Sequence, residues 1–427
     1  MTPDAGKNPP HRRGACPALS APMQTGDGLL IRLTPIGTIP PAAFAGFCAA
    51  ARQCGNGVME ITSRGSIQVR GLNPASAETF AAAIGALDIA VAEGVAVSTN
   101  PLAGLDAAEI LDAGLLAAEL RRALEERALA AKLAAKISVV IDGGGALTLD
   151  AVAADIRLCA GPAGLWVGVA GDAADAVGLG HVAPRDGVPT ALRLLEILAA
   201  RGRDARARGI LAREGAAVFQ TAIVDLLVGA AGPRPARRFA DPIGAYPLRD
   251  GFWACGIGLA FGHADAATLE QLADAARSAG AHGFRPAPGR ALLAVGLTRA
   301  ASILLAMIGA KLGFIVRAGD PRRHVVACAG APICASAHIP ARQMAPRLAD
   351  ELAVQLGGST TLHISGCPKG CAHPAPATLT IVGTPSGCVL VEGGSARDAA
   401  SAVVPVDEVA ARAAKILGAN QSEAAHV

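Results

Sequence analysis

The sequence predicts a mixed α and β protein built from two copies of one unit, the second starting roughly 225 residues after the first. Strand-like runs after turns open the copies: Asp27-Gly-Leu-Leu-Ile-Arg-Leu33 in one, Asp250-Gly-Phe-Trp-Ala-Cys-Gly256 in the other. Each is followed by a stretch with helical periodicity, 41–54 and 265–279. A second strand then ends in Gln68-Val-Arg-Gly-Leu72 or Leu293-Ala-Val-Gly-Leu297. The same offset returns where the run from Lys136 to Gly143 aligns with Thr361-Leu-His-Ile-Ser-Gly-Cys367.

After this β-α-β-like opening, each copy continues into a longer segment that mixes helices, about 106–132 and 341–356, with strands, 137–141 and 377–383. The run from Val228 to Arg238, rich in Pro, Gly and Arg and without a period, reads as the linker between copies. The expected division is a disordered leader over 1–15, then units over 16–80, 81–230, 242–300 and 301–420.

Composition narrows the class. Of 427 residues 52% are apolar, which raises the question of a membrane protein. Spanning needs about 20 uninterrupted apolar residues. The best stretches are broken, 218–232 by Asp225 and 300–316 by Lys311, so no membrane is expected. A net charge of +3 from 38 basic and 35 acidic residues is too balanced for a nucleic-acid footprint. Arg12-Arg13 has the look of a twin-arginine export signal, but no apolar run follows it, and a cytoplasmic location is the expectation.

Ten cysteines are present, and four form two close pairs. Cys328 and Cys334 are separated by Ala-Gly-Ala-Pro-Ile, Cys367 and Cys371 by Pro-Lys-Gly. Both spacers favour tight loops over helix faces. Small loop residues let the backbone wrap closely around an iron–sulfur cluster and point N–H groups at its sulfurs. A [4Fe-4S] cluster on Cys328, Cys334, Cys367 and Cys371 is therefore the expectation. A structural zinc site is the competing account, but its pairs are usually closer in sequence. Four unrelated buried thiols are the plainest account. Cys48, Cys54, Cys159, Cys255 and Cys388 read as core or surface thiols, and Cys16 is undecided.

The loops Cys328-Ala-Gly-Ala-Pro-Ile-Cys334 and Ser365-Gly-Cys-Pro-Lys-Gly-Cys-Ala372 resemble the cluster signature of the nitrite and sulfite reductase hemoprotein superfamily. Further likeness lies in Thr62-Ser-Arg-Gly-Ser-Ile-Gln-Val-Arg-Gly71, in Asn100-Pro-Leu-Ala-Gly-Leu-Asp106, and in Lys136 opening a strand. The resemblance runs from Cys16 to about Gly418. It implies an α+β fold, a pseudo-twofold repeat of ferredoxin-like halves, each followed by a larger sulfite-reductase-type α/β domain. The opening from Cys16 to Leu30 is most similar to the precorrin-3B synthase branch.

The departures favour that branch. The reductases surround their anion with two Arg and two Lys; aligned here, Arg64 and Lys136 remain, while Val95 and Ser138 occupy the other places. Six-electron anion reduction needs cationic donors. The resemblance thus implies an oxidoreductase of cobalamin biosynthesis, a monooxygenase that uses O2 to hydroxylate the tetrapyrrole precorrin-3A at C20, with γ-lactone formation.

Arginine grips carboxylates in bidentate geometry. Arg64 and Arg70, on one strand-like run, and Arg32, on its neighbour, are accordingly the candidates for substrate carboxylates, with Lys136 and Lys369 beside them. The resemblance implies a second iron centre, non-heme iron in preference to siroheme, and an NADH-linked electron donor. Gly143-Gly-Gly145 lacks the dinucleotide-binding spacing, so NADH is expected to act through a separate reductase or a site not legible in the sequence. The alternatives are a siroheme-dependent sulfite or nitrite reductase and a non-catalytic iron–sulfur electron carrier.

Overall fold

The computed structural model describes residues 17–229, 232, 234, 237, 240–398 and 402–424. The expected leader over 1–15, and Cys16, lie outside them. The expected linker over 228–238 is corrected at its start, where Val228 and Gly229 belong to a strand paired with Val177–Val182. Of its remaining described residues, Arg234 and Arg237 are held against the first copy by Asp150 and Asp142 at 2.6 Å each.

The first copy opens with β1 (Met23–Thr25), β2 (Gly28–Leu33), α1 (Pro41–Cys54), β3 (Val58–Ile61), β4 (Ile67–Leu72) and α2 (Pro74–Ala86). It continues with β5 (Ala96–Thr99), α3 (Ala113–Glu126), β6 (Ser138–Asp142), β7 (Ala154–Gly161), β8 (Gly164–Gly171), β9 (Val177–Val182), α4 (Gly187–Ala200), α5 (Ala207–Glu214), α6 (Ala217–Ala222) and β10 (Leu227–Gly229). The second copy repeats the plan: β11 (Gly244–Pro247), β12 (Trp253–Gly258), β13 (His263–Asp265), α7 (Ala266–Ser278), β14 (Gly283–Ala287), β15 (Ala291–Leu297) and α8 (Arg299–Lys311). Then follow β16 (Val325–Ala327), α9 (Ala341–Glu351), β17 (Leu362–Ser365), β18 (Leu379–Thr384), β19 (Gly387–Glu392), β20 (Val403–Val404) and α10 (Val409–Ala424).

Local chemistry sets several of these boundaries. Asn73 caps α2 in a reciprocal capping box with Ser76, and Pro74 takes the first helical position, where its missing N–H is harmless. Asp112 caps α3 by accepting from the Gly114 and Leu115 N–H groups.

Four sheets result, ordered β1-β2-β4-β3-β13, β10-β9-β8-β7-β6-β5, β11-β12-β15-β14 and β16-β17-β18-β19-β20. The duplication is visible in strand direction. In the second sheet β5, β6 and β7 pair in parallel before β8 and β9 pair antiparallel; in the fourth, β16, β17 and β18 are parallel before β19 and β20 turn antiparallel.

The copies exchange edges. β13 of the second copy pairs with β3 of the first, Ala264 opposite Met59. Reciprocally Ile39 of the first copy bridges Phe284 of the second, through N–H···O bonds of 2.9 and 2.8 Å. Each ferredoxin-like sheet thus finishes on a segment of the other copy. The apolar faces follow suit: one core joins Ile31, Phe44, Val69 and Phe80 to Ile257, Leu272, Phe284 and Leu305. Phe44 and Phe284 stack across the copies with ring centroids 4.7 Å apart. Burying each such side chain contributes about 1.5–3 kcal/mol, and here that gain requires both copies. The other two sheets have cores of their own.

Candidate functional site

The polar face of the first sheet, turned away from that shared core, is one wall of a cavity of about 670 Å³. Side chains alternate along a strand. Ile67 and Val69 therefore enter the core while Gln68 and Arg70 face the cavity, joined by Arg32 of β2 and Glu60 of β3. Gln68 lies in register with both Arg32 and Glu60. It accepts from Arg32 Nη2 at 3.0 Å and donates to Glu60 at 3.3 Å, a polar ladder across three strands.

The opposite wall is formed by the two cysteine loops, with Cys328, Cys334, Cys367, Lys369 and Cys371. Lys369 Nζ donates to Ser336 Oγ at 2.9 Å and so ties one loop to the other. The third side is Phe261-Gly-His263 with Arg290, supplied by the second copy.

The expected cofactors are not supported by this arrangement. Among the described residues no group of three or more His, Cys, Asp and Glu side chains is placed to hold a metal ion, which corrects the expectation of a [4Fe-4S] cluster and of a second iron centre. The thiols border one cavity but have different surroundings. Cys328 Sγ accepts the Gly366 N–H at 3.1 Å, and Cys334 lies under Gly26, where a Cβ would collide with its sulfur. Cys367 is buried and Cys371 exposed. Burial pushes the Cys328 and Cys371 thiols up, with the neighbouring cysteines adding to the effect.

The candidate cations fall in different places. Arg70 is engaged: its Nε and Nη2 donate to Asp27 at 2.8 Å each, and Glu60 lies 3.7 Å from Nη1. Burial works against the Asp27 carboxylate, yet the hydrogen bond and charge of Arg70 outweigh it and hold the group below its ordinary range. Arg64 is not on the strand with Arg70, because β4 begins only at Ile67. It occupies the preceding turn, where Thr62 Oγ1 accepts the Arg64 and Ser66 N–H groups at 3.3 and 3.0 Å and Gly65 takes a φ of 81°. A left-handed residue ends the extended run, and glycine adopts it without steric cost. Lys136 is exposed in the turn before β6 and does not border the cavity.

Val95 and Ser138, aligned with the two missing reductase cations, are buried at 8% and 5% exposure and do not border the cavity either. The Asn100–Asp106 run is structural. Asn100 binds Leu147 O and the Gly143 N–H, and Asp106 accepts the Ala146 N–H, all at 2.6 Å.

The sequence reading missed three polar residues here. Glu60 is held by Gln68, Arg70 and Arg342, the last at 3.3 Å. His263 borders the cavity, and burial, with Arg342 nearby, pushes its imidazole down to about 3. Arg290 reaches over Gly262 with a backbone φ of 62°. A signal existed for it in the repeat, which sets Arg290 opposite Gly65.

Of the two equivalent places, the one in the first copy carries the cavity of about 670 Å³. Gln68 and Arg70 correspond in the repeat to Leu293 and Val295, and these pack with Leu102, Leu147 and Ile243 as apolar core.

Comparison with known proteins agrees with this anatomy. The nitrite/sulfite reductase ferredoxin-like half domain matches residues 21–87. The Mycobacterium tuberculosis NirA protein shares the fold, with a TM-score of 0.71 over 90% of this chain and 79% of that one, at 20% identity. Sulfite reductases (ferredoxin) 1 and 2 of Mycolicibacterium paratuberculosis are 25% and 26% identical over 34% and 37% of this chain, and over 28% and 30% of their own lengths. Fold and site thus define a protein of the nitrite/sulfite-reductase-like class, with duplicated ferredoxin-like halves around one cation-lined cavity. A precorrin-3B synthase of Sinorhizobium sp is 42% identical over 411 residues, 94% of this chain and 87% of that protein. The chain belongs to the precorrin-3B synthase family, oxidoreductases of cobalamin biosynthesis. Among the described residues no helix is long and apolar enough to cross a membrane.

Proposed function

We propose that this chain hydroxylates precorrin-3A at C20 in an O2-dependent reaction and closes the ring A acetate onto C1 as a γ-lactone. The observation that carries the reading is the cavity, set in a chain related over nearly its whole length to a precorrin-3B synthase. Its volume of about 670 Å³ lies in the range of small-molecule sites. Its walls carry Arg32, Arg64, Arg70 and Lys369, against Glu60 as the carboxylate among the described lining residues. A macrocycle fringed with carboxylates is complementary to such a surface.

The residues divide the work of binding. Arg64, exposed at the rim and without a side-chain hydrogen bond among the described residues, is available to a substrate carboxylate in bidentate geometry. Lys369 contributes a point charge from the opposite wall. Arg70, neutralised by Asp27, shapes the floor and stiffens the ladder from which Arg32 projects. Fixed on strands and tight turns, these groups hold the substrate without large reorganisation, which is what effective positioning requires.

One oxygen atom of O2 enters the product. The other leaves as water, with reducing equivalents from an NADH-linked donor acting through a separate reductase. The test is aerobic incubation of the full chain with precorrin-3A, NADH and a reductase under 18O2, with mass spectrometry of the product. One labelled oxygen per molecule is expected. Product formation without O2, or viologen-dependent reduction of sulfite in place of hydroxylation, overturns the reading.

A further inference from the structure

We infer that Arg290 is an anchor for a substrate carboxylate, paired across the pseudo-twofold axis with Arg64. This rests on the cavity being the tetrapyrrole site proposed above.

Three observations place it there. First, the turns carrying the two arginines touch. Arg64 and Pro288 form an antiparallel bridge, and the Gly289 N–H donates to Ser63 O at 3.1 Å. A Cβ on Gly65 would come within 2.9 Å of the Ala287 carbonyl carbon and 3.0 Å of Pro288 N, so the approach is close enough to need a glycine. Both arginines border one cavity, from the turns of equivalent hairpins.

Second, Arg290 has no side-chain hydrogen bond or ion pair among the described residues. Arg70, Arg234, Arg237, Arg322 and Arg323 are all paired with carboxylates. Glu60, the nearby carboxylate, is within ion-pair reach of Arg70 and Arg342 instead. A partly buried guanidinium left in this state presents its donors to whatever enters the cavity.

Third, its backbone is left-handed, φ 62°, where the first copy has Gly65 at 81°. Non-glycine residues rarely hold this conformation, and strain of this kind concentrates at sites that use it. The Arg290 side chain runs over Gly262, itself at φ 88°, where a Cβ would lie 2.7 Å from Arg290 Cδ. Gly262 therefore leaves the space through which the Arg290 side chain passes.

The experiment compares the full-length wild type with R290G and R290K. Anaerobic titrations with precorrin-3A, and separately with the polycarboxylate uroporphyrin III, are followed by absorbance at two salt concentrations. Glycine is the residue of the equivalent turn and relieves the left-handed strain, so R290G should unfold no earlier than wild type. It should bind precorrin-3A roughly 10- to 100-fold more weakly, with a shallower salt dependence, as expected for the loss of a charge-assisted contact. R290K should recover part of the affinity. Unchanged affinity in R290G overturns the inference, as does a loss of thermal stability with affinity intact, which would mark a structural arginine. If the wild type ignores precorrin-3A but binds uroporphyrin III, and R290G weakens that binding, the proposed reaction fails while the anchor stands.

Discussion

Arg70 and Asp27 meet side-on at the floor of the cavity, with Nε and Nη2 donating to Oδ2 and Oδ1 at 2.8 Å each and the Asp27 side chain only 1% exposed. Removing one partner strands the other. D27N should destabilise the protein by on the order of 3 kcal/mol, the usual consequence of breaking a buried pair. Because Asp27 is held below its ordinary value, the unfolded chain takes up its proton first as pH falls. The contribution is thus present above the unfolded pKa and is lost as pH drops through the folded one. Urea unfolding of wild type and D27N should converge at low pH; a constant gap down to pH 2 would contradict the assignment.

Two histidines, His363 buried and His263 half-buried, act in the same direction over a higher range. Burial pushes His363 down to about 4 and His263 to about 3, from 6.5. Both ring nitrogens of His363 and Nε2 of His263 lack partners among the described residues. Below pH 6.5 the unfolded chain binds protons that the folded chain refuses, so stability falls toward pH 4 by about 1.4 kcal/mol per pH unit per histidine. The H263Q/H363Q double variant should flatten that slope. An unchanged slope would locate the titration elsewhere.

The edge exchange between copies can be tested at Gly283. A Cβ there would collide with Ile39 O, the acceptor of the Phe284 N–H in the inter-copy bridge. G283A should lower stability by roughly 1–3 kcal/mol, as forced overpacking does. Hydrogen exchange should rise at both Ile39 and Phe284. Exchange confined to one copy would show that the edges are independent.

Arg64 and Lys136 entered as equal candidates, and their places predict different outcomes. R64Q should weaken precorrin-3A binding about tenfold, whereas K136Q, exposed and off the cavity, should leave it unchanged. Equal effects in an anaerobic titration would refute the cavity as the binding site.

The repeat was legible because periodicity is local: the helices over 41–54 and 266–278 and the strands ending at Leu72 and Leu297 fall where apolar spacing sets them. The cysteine pairs were legible as loops for the same reason, but not as ligands. Whether thiols converge on one ion depends on how the loops are laid against their neighbours, and here Gly26 and Gly366 set the surroundings of Cys334 and Cys328. Arg70 looked available because its partner, Asp27, lies 43 residues away.

By itself, then, the sequence determined the duplication, the opening strand, first helix and later strand of each copy, and the presence of cations on the first sheet. Strands such as β1, β3 and β14 and the helices α2 and α8 were not read from it. The tertiary structure decided which of two equivalent places is a cavity, since Leu102 and Leu147 fill one and the cysteine loops leave the other open. It also brought Arg290 beside Arg64, more than two hundred residues apart in the chain. Side-chain alternation can be read along a single strand, whereas the width of a cavity is set by segments that meet only when both copies have packed on one core.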